Sequence, residues 1–140
     1  MFKNIANKET MLAKKKDENQ LTFNQTIEEQ VNQKHPLFVL SHTIDWKKFE
    51  RAFEKHYSKT NGCTAKPIRL MVGLLILKHL RNQSDEVVVE QWQENLYYQC
   101  FCGEKVFTTK PPCEASELVH FRHRIGEEGM ELILQESIRI

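Results

Sequence analysis

The chain is short of the residues that punctuate or staple a fold. Its 140 residues include 5 Gly, 4 Pro and 4 Cys. So little Gly and Pro argues against a disordered or linker-like chain, and so few cysteines against a disulfide scaffold. The opening "MFKNIANKETMLAKKKDENQ" lacks the apolar stretch of a secretory leader, so free thiols in a reducing cytoplasm are the expectation. A long hydrophobic run is missing too. The longest uncharged one, "LMVGLLIL" at 70–77, is far below the roughly 20 residues that span a bilayer, and reads as a core helix. Neither sign of charge dominates: the net is +1, which by itself names no partner.

What is present suits a soluble, mostly helical single domain. Hydrophobic residues make up 40%, enough to bury a core, and charged ones 28%. The charge comes in blocks. Residues 63–83 hold four bases and no acid, and 84–104 five acids and no base. Residues 105–126 hold four bases against two acids, and 127–140 four acids against one base. Alternating blocks fit helices that attract one another, or separate basic and acidic faces.

Residues 1–20 read as a flexible polar arm. They carry the triplet Lys14, Lys15 and Lys16, which is either a solvated tail or a contact for phosphates. The helical domain is placed at 21–140. In "FNQTIEEQVNQ", Phe23, Ile27 and Val31 share a helical face, and Pro36 ends that helix and opens "PLFVLSH". Asp45 caps "WKKFERAFEKHY", where Trp46, Phe49, Phe53 and Tyr57 recur at helical spacing, and Asn61-Gly62 stops it. Pro67 opens "PIRLMVGLLILKHLR", apolar on nearly all sides and therefore central. Ser84 caps "DEVVVEQWQEN", "LYYQCFC" follows and Gly103 closes it. "EKVFTTKPPCEA" is an irregular connector. Ser116 caps "ELVHFRHRI", Gly126 ends it, and "EEGMELILQESI" forms a last helix. No strand is expected. The fold class is all-α, with helix-turn-helix-like corners.

Two corners suggest DNA reading. At 68–95, a buried helix, the turn "NQS" and a capped helix make a helix-turn-helix pattern. Its second helix carries Asp85, Glu86, Glu90 and Glu94 and no base, so phosphates repel it and a scaffold role is expected. The better reader is 116–126. There Leu118, Phe121 and Ile125 form the apolar stripe, and His120, His123 and Arg124 project from the other side. Arg124 can pair with guanine or a phosphate, and the Ser116 helix start can meet a phosphate. Arg122 falls toward the core side, where a carboxylate partner inside the bundle is expected. The competing reading of this helix is a solvated basic face beside acidic helices.

A zinc site is the other reading of "YYQCFCGE". Cys100 and Cys102 are one residue apart, and Cys113, His120 and His123 follow. Zinc sites favour pairs separated by two to four residues. On a helix Cys100 and Cys102 point about 200° apart and cannot share an ion. His120 and His123 can share one, and Cys113 can in principle join them.

The stretch "PIRLMVGLLILKHLRNQSDEVVVEQWQENLYYQCFCGE", followed by "LVHFRHRIGEEGMELILQESI" and preceded by "HPLFVLSHTIDWKKFE", resembles a known family. It is the N-terminal domain of bacterial insertion-sequence transposases of the DDE class, of the InsH type, and the likeness covers roughly residues 21–138. The resemblance implies a helical domain that recognises the terminal inverted repeats of a mobile element. In the family it precedes an RNase H-like domain whose Asp-Asp-Glu set binds divalent metals. No residue here matches those catalytic positions, so the expectation is a non-catalytic portion of a transposase. The family pattern also carries an aromatic residue at position 100, which tells against zinc, and more Arg and Lys around His120 and His123. A neutral histidine is a weak phosphate ligand, so DNA affinity should rise at mildly acid pH.

The expected DNA contacts are Ser116, His120, His123 and Arg124, with Lys105 and Lys110 in the connector and Lys14, Lys15 and Lys16 on the arm. Arg122, Trp46, Trp92, Phe101 and Phe121 are expected to be structural. No metal, cofactor, membrane partner or enzymatic activity is expected. The alternative function is an interaction module. In it, exposed parts of Trp92, Tyr97, Tyr98 and Phe101 pair two copies or dock on an intact transposase and inhibit it.

Overall fold

The computed structural model describes residues 25–57 and 66–139. The 1–20 arm with its lysine triplet, Phe23 and the Asn61-Gly62 stop lie outside the described residues. Among the described residues every regular element is helical and there is no strand. In chain order they are α1 (Ile27–Gln30), α2 (Pro36–Thr43), α3 (Trp46–Phe53) with a 3-10 turn (Glu54–His56), α4 (Ile68–Arg81), α5 (Asp85–Glu94), α6 (Leu96–Phe101) and α7 (Ala115–Arg139).

Short polar side chains set most of the starts. Asp45 Oδ1 accepts the Lys48 N–H at 3.3 Å, and Ser84 Oγ accepts the Val87 N–H at 3.1 Å. Asn95 Oδ1 takes two donors, the Tyr97 and Tyr98 N–H groups, at 2.8 and 3.2 Å. Pro36 stands in the first turn of α2, while Pro67 lies one residue before α4.

Helix α4 is the axle. Leu70 to Leu77 are all buried, and α3, α5, α6 and α7 pack around them. Aromatic rings close the core on either side: Trp46 meets Phe101 edge-on at 5.2 Å, and Phe53 meets Phe121 edge-on at 6.0 Å. The indole N–H of Trp46 donates to the Ser41 carbonyl at 2.8 Å, so this large ring enters the core with its polar atom satisfied. A bridge from Lys48 to the buried Glu136 ties α3 to α7.

Two boundaries differ from the sequence expectations. The first helix is a single turn. Thr26 and Glu29 form a reciprocal capping box (3.0 and 3.3 Å), and Val31 is already extended. The chain then follows α6 instead of continuing the helix: the Asn32 N–H donates to the Tyr97 hydroxyl at 2.9 Å, and His35 stacks on that ring. Ser116 is not a cap. The last helix starts at Ala115, and the Glu117 carboxylate accepts the Glu114 N–H at 2.8 Å, leaving Ser116 exposed inside the first turn. Gly126, by contrast, interrupts the last helix where the sequence expects it to: its φ of 69° and ψ of −171° are non-helical and belong to a region essentially reserved for glycine, so α7 is two helical halves that meet at a kink.

Candidate nucleic-acid interface

The first half of α7 is anchored by Leu118, Phe121 and Ile125, all buried against the core. That spacing fixes the rotation of the helix. Ser116, Val119, His120, His123 and Arg124 face solvent. Val119 and His120 lie three and four residues after Ser116, and His123 four and three residues after them, so these side chains form one strip along the helix. Arg124 flanks it, with its guanidinium 5.2 Å from the centre of the Tyr57 ring. Burial raises the Tyr57 hydroxyl above its ordinary pKa, and Arg124 pulls the other way through its charge and a hydrogen bond. Tyr57 thus steadies a long cation at the surface.

Arg122 is directed elsewhere. Its Nη1 and Nη2 donate to Asp85 Oδ1 and Oδ2 at 2.9 and 2.8 Å, and Lys78 Nζ stands 3.7 Å from Oδ1. The Arg122 hydrogen bonds hold the Asp85 carboxyl below its ordinary range. Asp85 also sits in the first turn of α5, where the helix dipole favours an anion.

Of the two connector lysines, Lys105 lies apart from the strip. Lys105 lines a cleft of about 560 Å³ built from α1, α2, α4 and α6, with Glu28, Glu29, Glu104 and Arg69 as neighbours and no residue of α7. Its carbonyl accepts the Ile27 N–H at 2.8 Å, which docks the connector onto α1. Three carboxylates beside Lys105 make that cleft a poor place for a phosphate chain. Lys110 is exposed further along the same connector.

Gln99 fixes the connector's path, and no sequence signal pointed to it. The side chain is fully buried. Its Nε2 donates to the carbonyls of Trp92 and Thr108 at 2.9 and 2.7 Å, and its Oε1 accepts the Thr108 N–H at 3.0 Å. Tyr57 under Arg124 and the exposed Val119 within the strip were also missed. Tyr57 ends an apolar series, so its spacing reads as core.

The aromatics considered for pairing copies are not on the surface. Trp92, Tyr98 and Phe101 are buried, and the half-buried Tyr97 is occupied by His35 and Asn32. Trp92 and Phe101 are thus the structural residues expected of them, and the alternative interaction surface is not formed by these rings, which hold α5, α6 and the core together. The cysteines do not converge. Cys102 is buried against Gly73, Cys100 is half-buried on the α6 side, and His120 and His123 are exposed on α7. Among the described residues no group of three or more His, Cys, Asp or Glu is arranged to hold a metal ion. Nor is any helix among them long and apolar enough to cross a membrane.

The arrangement is an all-α domain that presents a histidine- and arginine-bearing helix from a rigid core. The family model described as "Transposase domain (DUF772)" matches residues 25–124, and the chain belongs to that family. It is also 40% identical over 116 residues to the "Uncharacterized protein ORF8 in nfe locus" of Rhizobium meliloti, an alignment that takes in 83% of this chain. The chain spans about half (56%) of the length of that curated relative. No solved structure matches it.

Proposed function

We propose that this chain is the DNA-binding portion of an insertion-sequence transposase of the InsH type. It would recognise the terminal inverted repeats of its element, while strand cleavage and transfer belong to an RNase H-like domain outside these 140 residues. The observation that carries the reading is the exposed strip of α7 in a chain of the transposase domain family. A helix held by three buried anchors can enter a major groove without rearranging the core behind it.

Roles follow from chemistry. Arg124, steadied by Tyr57, offers a planar fork to a guanine edge or a phosphate. His120 and His123 donate to phosphate or base acceptors, more strongly when protonated. Ser116 can donate from the first turn, and the exposed Val119 can pack on a thymine methyl. Lys14, Lys15 and Lys16 would add non-specific phosphate contacts, and Lys110 a peripheral one. The Lys105 cleft contributes least because of its acids.

Gel-shift titrations on the element's own terminal repeats, run across a salt series, test this reading. Specific binding that weakens steeply with salt is expected. Equal affinity for scrambled duplexes, or no binding at low salt, would remove the assignment.

A further inference from the structure

The cleft of about 560 Å³ around Arg69 and Lys105 lies where the described chain begins. Thr26 lines it, so the segment before Gln25 is tethered at its rim. Its walls carry the exposed Glu28, Glu29 and Glu104 and the half-buried Arg69. Arg69 is held in place without a counter-charge. Its guanidinium lies 4.6 Å from the centre of the Trp46 ring, and Nη2 donates to the Phe101 carbonyl at 3.3 Å. Gly103 makes room for it, since a Cβ there would stand 2.9 Å from Arg69 Cδ. Among the described residues no carboxylate pairs with Arg69, and its Nε is buried without a hydrogen-bond partner. A cation drawn partly out of water in this way is stabilised by an anion brought beside it.

We propose that this cleft is the docking site of the chain's own segment 14–18, "KKKDE". Lys14, Lys15 and Lys16 meet the acids Glu28, Glu29 and Glu104, and Asp17 or Glu18 supplies the anion that Arg69 lacks. Charge selects this occupant: a segment that carries both signs meets a cleft that carries both, with cations against the exposed acids and an anion for the half-buried arginine. Chain length permits it. Residues 19–25 separate Glu18 from Thr26 and reach up to about 25 Å, enough to fold back across the cleft. So short a tether gives an effective concentration on the order of millimolar, at which ion pairs that are weak singly can hold together. Docked lysines are withheld from phosphates, so the segment is an electrostatic latch that duplex DNA displaces. That last consequence rests on the DNA-binding reading; the docking itself does not.

Carbodiimide coupling of the full chain at low salt, read by peptide mapping, tests the docking, because it joins lysine amines to the carboxylates they touch. Lys14, Lys15 or Lys16 should link to Glu104 at least about 5-fold more often than to Glu86 and Glu90, which are exposed acids on α5. Mixing isotope-labelled and unlabelled protein should show that the links form within one chain. Cys100 lines the same cleft, so its maleimide labelling should rise about 5-fold in Lys14→Ala/Lys15→Ala/Lys16→Ala. Bound terminal-repeat duplex should suppress the Glu104 links. Links to Glu104 no more frequent than to Glu86 and Glu90, links only between copies, equal Cys100 labelling in the two proteins, or links that persist in the DNA-bound chain would overturn the proposal. A chain that shows the links but binds no DNA loses the DNA-binding reading and keeps the docking.

Discussion

Arg122 grips both carboxylate oxygens of Asp85, at 2.9 and 2.8 Å, and so ties the middle of the last helix to the first residue of α5. The pair sorts the cations of "FRHRIG". One arginine is spent on the scaffold, and the two histidines and Arg124 are left at the surface. Asp85 also opens α5 just after the corner that joins it to α4, and its negative charge is matched within the bundle.

Asp85→Ala should destabilise the fold by about 1–3 kcal/mol, because it strips a partly buried guanidinium of its charged acceptor. The pH dependence has a definite sign. The folded pKa of Asp85 lies below its ordinary value of 3.8, so the pair's contribution is complete above that value and is lost as pH falls through the folded pKa. Thermal melts of wild type and Arg122→Met across pH 2.5–7 measure it. The wild type should lose more stability at the acid end, and parallel curves would count against this pairing as a contributor.

Gln99→Leu tests how the connector is held. The substitution keeps the volume but removes the partners of the Thr108 N–H and of the Trp92 and Thr108 carbonyls. A cost of about 3 kcal/mol is expected, with faster amide exchange at Thr108. Unchanged exchange there would show that the connector is held by other contacts.

Gly73 of α4 packs directly against Cys102 at the end of α6. A Cβ on Gly73 would stand 2.7 Å from Cys102 Sγ and 3.3 Å from its Cα. Gly73→Ala should therefore cost about 1–3 kcal/mol, and Cys102→Ala in the same chain should recover part but not all of it, because the backbone contact remains. Burial pushes the Cys102 thiol far above its ordinary range and Cys113 up to about 11. Iodoacetamide should label neither in the native protein and both after denaturation. Rapid native labelling of Cys102 would contradict the packing described.

Much of this fold was legible because its signals are local. The all-round apolar pattern of 68–81 gave a central helix, and Ser84 and Asp45 cap the helices that their spacing implied. What misled was local pattern overruled by tertiary contact. Phe23, Ile27 and Val31 have helical spacing, but the chain at Asn32 docks on Tyr97 and the helix stops after one turn. Ser116 looks like a cap, but Glu114 and Glu117 close the first turn two residues earlier. The rotation of the α7 strip followed from its anchors Leu118, Phe121 and Ile125. Gln99 did not follow from anything local, because its partners are backbone groups of an aperiodic connector.

Fluorescence anisotropy of a labelled terminal-repeat duplex, titrated with wild type and with His120→Ala/Arg124→Ala at fixed low salt, tests the central claim most directly. The account expects the double variant to bind at least about 10-fold more weakly, with an unchanged melting temperature and a shallower salt dependence. Equal affinity of the two proteins for the repeat would contradict the assignment of the α7 strip as the DNA-reading surface.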